Sequence, residues 1–211
     1  DLMPTVTMHL TGRLGNLMFE YSYLRAYAEQ NGYEISLPPW IGERVFTIPE
    51  AVRPDKYKPD LDLGEQLFQN QASLIYTRKQ VREWFTFKPE VLEKLQDAEC
   101  PYDVILNVRT ASDYIAAGMV CISKKSYLDA CIRLYGNAQD TDYDWSWETD
   151  ENPMRFPDFS GDPSASGLGT TEVCLPSFYR LMTAPILFRA NSTFSYWASV
   201  LGNGRTFSPV I

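Results

Sequence analysis

The chain has 211 residues, of which 45% are hydrophobic and 22% are charged, a balance typical of a soluble globular protein with a sizeable core. Its formal net charge of −8 argues against nucleic acid as a partner, because phosphate-backbone binding needs clustered lysine and arginine. No apolar run reaches transmembrane length, and no signal peptide is visible. An acidic protein of this kind can still hold a small phosphorylated ligand where a few arginines converge.

The cysteines and the single histidine limit the chemistry further. The four cysteines form no C-x-x-C pair and no histidine cluster accompanies them, which argues against a zinc site. His9 is the only histidine, so any mechanism that needs two is excluded. A carboxylate is therefore the favoured general base in this chain.

The N-terminal part has the order strand, glycine loop, helix, strand. A β-rich run at 5–10 leads into the loop 11–16, and a helix is predicted over 17–31 with Gly32 as its C-cap. A second short strand follows at 33–37. This beginning predicts a parallel sheet.

The middle of the chain has weaker signals. Residues 42–62 are proline-rich and irregular, 74–76 are a candidate short strand, and 89–96 read as a helix. A new strand begins directly after Cys100 and Pro101. We therefore divide the chain into an N-terminal half, 1–100, and a C-terminal half, 101–211.

The C-terminal half opens with a predicted strand over 103–108. Ser123 then caps a helix over 124–136 whose Leu128, Ile132 and Tyr135 are expected to face inward. The acidic, aromatic stretch 137–170 shows no clear element.

The last part of the chain again alternates helix and strand. Ser177 is expected to cap a short helix over 178–184, and a strand follows at 185–189. Ser192 or Thr193 caps a last helix over 194–202, and the tail 205–211 reads as a final strand.

Strand-to-helix junctions place free backbone N–H groups and a positive dipole end at the carboxyl edge of a sheet, where open parallel sheets bind ligands. In the first junction, Gly12 and Gly15 let the backbone bend and let a ligand approach. Arg13 adds a guanidinium, and Asn16 completes the loop. The alternative is a tight turn with an exposed arginine.

The second junction centres on Arg109, which directly follows an apolar strand. A forked, permanently charged donor at a sheet edge suits a diphosphate. Asp113 is close enough in sequence to position Arg109 or to act as a base. The alternative is a surface pair between the two.

The third junction is Asn191, Ser192, Thr193 and Phe194 at the start of the last helix. Hydroxyls and free N–H groups at such a position form an anion cradle, although ordinary capping is the alternative. Asn191 also begins a glycosylation sequon, which we discount because the junction is expected to face a cleft.

Together the three junctions resemble the α-1,2-fucosyltransferase family, glycosyltransferase family 11. Residues 12–19 (GRLGNLMF) resemble its G-[GR]-L-G-N-Q-M-F opening, 107–114 resemble an altered H-x-R-R-G-D-Y, and 191–198 resemble N-S-T-F-S-W-W-A. The order and spacing also agree, so the resemblance spans nearly the whole chain. Asn107 stands at the histidine of the family pattern and Thr110 at its second arginine.

The resemblance implies an α/β fold of the GT-B-like type, with two Rossmann-like parallel-sheet halves facing a cleft. It implies inverting, metal-independent transfer of fucose from GDP-fucose, the co-substrate, to a galactose-type hydroxyl of a glycan acceptor. The half 1–100 would face the acceptor and the half 101–211 the nucleotide-sugar donor. No metal and no further cofactor are expected. We expect a cytoplasmic enzyme of glycan biosynthesis, the alternative being a lumenal catalytic domain of a membrane-anchored enzyme.

The resemblance also distributes roles among the candidate residues. Arg109 matches the first arginine of the family motif and takes its role toward the diphosphate, and Asp113 is the candidate base. The candidates for donor binding are Arg109, Asn191, Ser192, Thr193, Phe194, Arg13, Gly12, Gly15 and Asn16.

Three aromatic or basic side chains are candidates for acceptor binding. Trp145 and Trp147 follow the acidic run 140–144, which we interpret as a solvated loop near the cleft whose tryptophans stack on sugar. A calcium loop and a D-x-D metal site are the alternatives there. His9 either packs in the fold or reaches the cleft. Two further hypotheses remain: a transferase for another nucleotide-sugar, and a non-catalytic glycan-binding domain.

Overall fold

The computed structural model describes residues 3–54, 58–108, 118, 122–135, 145–149 and 175–209. The described residues form two compact units, one running to Glu93 and the other beginning at Lys94. Each unit has its own parallel sheet. No helix in these ranges is long and apolar enough to cross a membrane.

The first unit is built on a three-stranded sheet. Its strands are β1 (Thr5–Thr7), β2 (Glu34–Ile35) and β3 (Leu61–Asp62), in the order β2-β1-β3 and all parallel. Val6, fully buried at the centre, pairs with Ile35 on one side and Leu61 on the other. The parallel sheet predicted from the first βαβ pattern is confirmed. β3 was not predicted, because it is two residues long in a polar stretch.

Helix α1 (Leu14–Asn31) packs on this sheet and starts within the glycine loop. It begins earlier than predicted because the Arg13 carbonyl already accepts from the N–H groups of Asn16 (2.9 Å) and Leu17 (3.1 Å). It ends as predicted at Gly32, whose φ of 72° is the left-handed cap conformation and whose N–H donates to the Ala28 carbonyl.

Three more helices complete the first unit and the junction to the second. They are α2 (Ile41–Val45), α3 (Arg78–Trp84) and α4 (Pro89–Leu95). Only α4 was predicted. The strand predicted over 74–76 is wrong, because a short 3₁₀ helix (Gln71–Ser73) ends there and no sheet neighbour meets that segment.

The second unit is built on a four-stranded sheet. Its strands are β4 (Val104–Val108), β5 (Trp145–Thr149), β6 (Ile186–Phe188) and β7 (Arg205–Phe207), in the order β5-β4-β6-β7 and all parallel. β4, β6 and β7 were predicted, and β4 is buried at every residue, as expected for an inner strand covered on both faces. The reading of 137–170 as a stretch without regular structure is wrong at β5.

Helix α5 (Lys124–Tyr135) covers this sheet, and of its three predicted inward residues Tyr135 packs against the core as expected. Its inner residues are Tyr127 and Cys131, which pack against Val104, Leu106 and Val108. The predicted inward residues Leu128 and Ile132 are 37% and 38% exposed. Two apolar stripes lie one residue apart on this helix, so its sequence periodicity did not decide between them.

The remaining helices are α6 (Leu175–Thr183) and α7 (Thr193–Leu201), which pack on each other. α6 begins before the predicted start, so Ser177 is buried inside the helix and does not cap it. α7 is confirmed, with Ser192 as its N-cap.

The turn between α7 and β7 passes directly over the backbone at the end of α6. A Cβ atom on Gly202 would collide with the Met182 carbonyl oxygen, and one on Gly204 would collide with the Ala184 carbonyl oxygen. Both positions therefore need glycine for close approach, whatever their backbone angles.

Candidate functional site

The glycine loop lies at the carboxyl edge of the first sheet, between β1 and α1. Gly12 has a φ of 84°, and a Cβ atom there would lie 2.5 Å from Nδ2 of Asn16. Asn16 is held in turn by Gln69, whose Nε2 donates to the Asn16 side-chain oxygen at 3.0 Å. Gly12 and Arg13 are exposed, and Gly15 is buried in the first turn of α1. The loop thus presents its backbone and the arginine to solvent.

Behind the loop lies a buried carboxylate that belongs to none of the three predicted junctions. Glu20 on α1 is completely buried and accepts from the Thr11 N–H (2.8 Å) and the Thr11 hydroxyl (3.0 Å). Burial raises the pKa of Glu20 to about 7, against the two Thr11 bonds, which lower it. Glu20 therefore anchors the start of the glycine loop to the helix that follows it.

His9 lies beside the same edge, past the end of β1. Its side chain is 64% exposed, so of the two alternatives for His9 the packed one is wrong. Nε2 lies 3.3 Å from an oxygen of Asp62, at the end of β3, and the other Asp62 oxygen accepts from the Gly64 N–H at 2.8 Å. An exposed histidine oriented by a carboxylate is suited to hydrogen-bond a ligand hydroxyl. Asp62 gave no sequence signal, because its strand was not recognisable.

At the second sheet, the ends of β4 and β6 are joined by side chains. Asn107 near the end of β4 is buried, and its side-chain oxygen accepts from the Ala190 N–H at 3.3 Å. Ser195 in α7 donates its hydroxyl to the Ala190 carbonyl at 3.0 Å. The Asn107 bond fixes the turn from β6 into α7 to the neighbouring strand β4, and the Ser195 bond fixes it to the helix. The predicted catalytic residues Arg109 and Asp113 lie outside the described residues.

The predicted anion cradle at the start of α7 is built as a helix cap. The Ser192 hydroxyl oxygen accepts from the Ser195 N–H at 3.2 Å. Phe194 packs edge-on against Phe178 of α6, with ring centroids 5.2 Å apart. Ser192 therefore has a structural role in capping and Phe194 one in packing, whatever they bind. Asn191 and Thr193 flank the cap and are half-buried.

Arg189, next to this cap, was not recognised as a site residue. It follows β6, and its Nε donates to the Ser208 hydroxyl at 2.7 Å while Nη1 donates to the Ala190 carbonyl at 3.2 Å. Its guanidinium carbon lies 5.6 Å from the centroid of the Tyr196 ring. The sequence signal available was an arginine directly after an apolar strand, the feature by which Arg109 was selected.

The acceptor candidates on the second unit are placed by their backbone only. Trp145 and Trp147 belong to β5, the edge strand beside β4, and not to a loop. Their side chains, and the acidic run 140–144, lie outside the described residues.

The structure thus gathers the candidates into two groups, each at the carboxyl edge of one sheet. The first group comprises His9, Gly12, Arg13, Gly15 and Asn16, to which Glu20 and Asp62 are added. The second comprises Asn191, Ser192, Thr193 and Phe194, to which Arg189 and Asn107 are added.

The fold as a whole is similar to that of a glycosyltransferase. The crystal structure of the fucosyltransferase NodZ from Bradyrhizobium matches with a TM-score of 0.57 at 13% sequence identity, over 96% of this chain and 94% of that chain. No protein-family model and no curated protein sequence matches the chain.

This likeness shows a fucosyltransferase-like α/β fold with two parallel-sheet units, in agreement with the predicted fold class. The more specific relation to glycosyltransferase family 11, and a cleft between the units, stay predictions. So do the roles of the named residues.

Proposed function

We propose that the chain is a glycosyltransferase that moves a sugar, in the first instance fucose, from a nucleotide-sugar to a hydroxyl of a glycan. The observation that carries this proposal is the match to a fucosyltransferase fold over 96% of the chain. The resemblance to the α-1,2-fucosyltransferase motifs implies that the donor is GDP-fucose and that the acceptor is a galactose-type hydroxyl.

The proposed reaction is an inverting displacement at the anomeric carbon of the donor. The acceptor oxygen forms a bond to that carbon as the bond to the diphosphate oxygen breaks, and the electron pair of the broken bond leaves with GDP. Asp113 takes the acceptor proton, and Arg109 neutralises the charge that builds on the diphosphate. The start of α7, from Asn191 to Phe194, adds hydrogen bonds to the same diphosphate.

We assign the first unit to the acceptor. Its sheet edge carries an exposed His9 held by Asp62, which fits a sugar hydroxyl better than a phosphate, because the carboxylate would repel an anion. The exposed backbone around Gly12 lets a ligand approach closely. Trp145 and Trp147 stay acceptor candidates from the sequence, although they belong to β5 of the second unit.

The proposal is tested by a transfer assay with a panel of GDP-, UDP- and dTDP-sugars and a galactose-terminated oligosaccharide. We expect transfer with GDP-fucose. Loss of Arg109, as Arg109→Ala, is expected to cost about 2–4 kcal/mol of transition-state stabilisation, as for one oxyanion-hole donor. Arg133→Ala, at an exposed position on α5, is the control and keeps its activity. Unchanged turnover of Arg109→Ala would show that this assignment is wrong.

One observation favours a second candidate, a transferase for another nucleotide-sugar. Asn107 stands at the histidine of the family pattern, and its side chain is used to hold the Ala190 N–H. Because the Asn107 side chain is used in this bond, it does not offer the donor nucleotide-sugar the hydrogen-bonding group that a histidine would offer. Thermal shifts across the same sugar panel separate the two candidates. A preference for UDP- or dTDP-sugars would exclude GDP-fucose as the donor. If glycans bind and no nucleotide does, the chain is a glycan-binding domain.

A further inference from the structure

Arg189 is a half-buried cation at the carboxyl edge of the second sheet. It lies one residue beyond β6, and the structure gives it no carboxylate partner among the residues described. Burial lowers the pKa of its guanidinium, which means that its charge is poorly solvated where it lies. A charge in this position costs free energy that an anionic ligand would recover.

Arg189 is also fixed in place at both ends, through its backbone and through its guanidinium. The Arg189 N–H donates to the Phe207 carbonyl at 3.0 Å, and its own carbonyl accepts from the buried Tyr127 hydroxyl at 3.1 Å. At the guanidinium end, Nε donates to the Ser208 hydroxyl and Nη1 donates to the Ala190 carbonyl. The guanidinium carbon lies 5.6 Å from the centroid of the Tyr196 ring. A guanidinium held in this way loses little conformational entropy on binding a ligand.

These contacts use two of the five N–H donors of the guanidinium. Nε and Nη1 donate to Ser208 and Ala190, whereas no bond from Nη2 to any described residue is present. Three N–H donors of this charged, positioned group, two on Nη2 and one on Nη1, are thus left for a ligand. Paired oxygens of a phosphoryl group fit this donor geometry.

We propose that Arg189 binds a phosphoryl group of the nucleotide-sugar at the carboxyl edge of the second sheet, an inference that rests on the proposed function. Neither the family motifs nor the sequence pattern assigns this role. Arg189 binds the leaving diphosphate beside the cap of α7, and Ser208 and Tyr196 position it.

The experiment measures binding of GDP and of inorganic pyrophosphate by calorimetry at constant ionic strength. Arg189→Gln is expected to weaken both by about 10- to 100-fold, the effect of losing a charged hydrogen bond. Arg189→Lys keeps the charge but not the forked donor geometry, so its affinity is expected to lie between those of the wild type and Arg189→Gln. It takes the place of Arg189→Gln in the test if the glutamine variant does not fold. Arg205→Gln is the matched control, because Arg205 is exposed at the opposite end of the same sheet, and it should change affinity less than about 2-fold.

The outcomes separate the inference from the proposed function. If the wild-type chain binds GDP and both Arg189 variants bind it equally well, the role of Arg189 is overturned and the proposed function is untouched. If the wild-type chain binds pyrophosphate through Arg189 but no nucleoside diphosphate, the ligand is a different anion and both proposals are overturned.

Discussion

Glu20, which anchors the glycine loop, makes the free energy of unfolding depend on pH. Its pKa in the folded chain, about 7, is above the usual glutamate value of 4.5, so the folded chain binds a proton more tightly than the unfolded chain does. The free energy of unfolding should therefore fall as the pH rises from about 4.5 to 7, by on the order of 3 kcal/mol, and stay level above that range. The protonated acid can keep both contacts, accepting from the Thr11 N–H and donating to its hydroxyl.

We predict that Glu20→Gln removes this pH dependence and equals or exceeds the wild type in stability at pH 8, because an amide makes the same two contacts without a charge. Urea unfolding at pH 5, 6, 7 and 8 measures the effect. Glu29→Gln, at an exposed site on the same helix, is the control and should keep the wild-type slope. A Glu20→Gln profile parallel to that of the wild type would contradict the assignment.

Alanine substitutions at Gly12 and Gly32 distinguish the cost of an unfavourable backbone conformation from the cost of a steric collision. Both have positive φ, 84° and 72°, so alanine costs about 1–2 kcal/mol at either position from backbone conformation. Only at Gly12 would the new Cβ also displace Asn16, which would lose its bond to Gln69. We expect Gly12→Ala to lower the free energy of unfolding by about 1 kcal/mol more than Gly32→Ala, the net value of a hydrogen bond. Equal losses in denaturant melts would show that Asn16 moves freely.

At the scale of one element, helix α7 allows capping and anion binding to be tested separately. Ser192 caps the helix, so Ser192→Ala should cost about 1 kcal/mol of stability. Ser192→Asp keeps a capping oxygen but adds a negative charge beside the proposed diphosphate. We expect Ser192→Asp to melt like the wild type and to bind GDP at least about 10-fold more weakly. Ser199→Ala, within the same helix, controls for loss of a hydroxyl. Full GDP affinity in Ser192→Asp would place the diphosphate elsewhere.

The elements also show what the sequence could predict. The junctions around Gly12 and Ser192 were recognisable because their strands, glycines and caps are local signals. β3 and β5 were missed because their stability comes from pairing with β1 and β4, which are far away in sequence. For the same reason Asp62 and its contact with His9 could not be foreseen. Arg189 was missed because no motif contains it, although its position after an apolar strand was visible.

For the whole molecule, the two units have separate sheets, so unfolding need not be a single two-state event. We assign the nucleotide to the second unit, and a ligand stabilises only the folded state that binds it. GDP at 100 times its dissociation constant should add about 2.7 kcal/mol to the transition of that unit. Differential scanning calorimetry with GDP, and with guanosine as the control, measures this shift. An equal shift with guanosine would show that the phosphates add nothing to binding.

The turn that holds Gly204 against the Ala184 carbonyl has a consequence beyond packing. β7 starts at this turn, and Ser208 directly follows β7. The close backbone contact at the turn therefore helps to set the position in which the Ser208 hydroxyl accepts from Arg189. We expect a methyl group on residue 204 to displace the start of β7 and, through Ser208, the guanidinium of Arg189. A variant at this glycine is therefore expected to weaken the proposed anion binding, although Arg189 and Ser208 both keep their natural side chains.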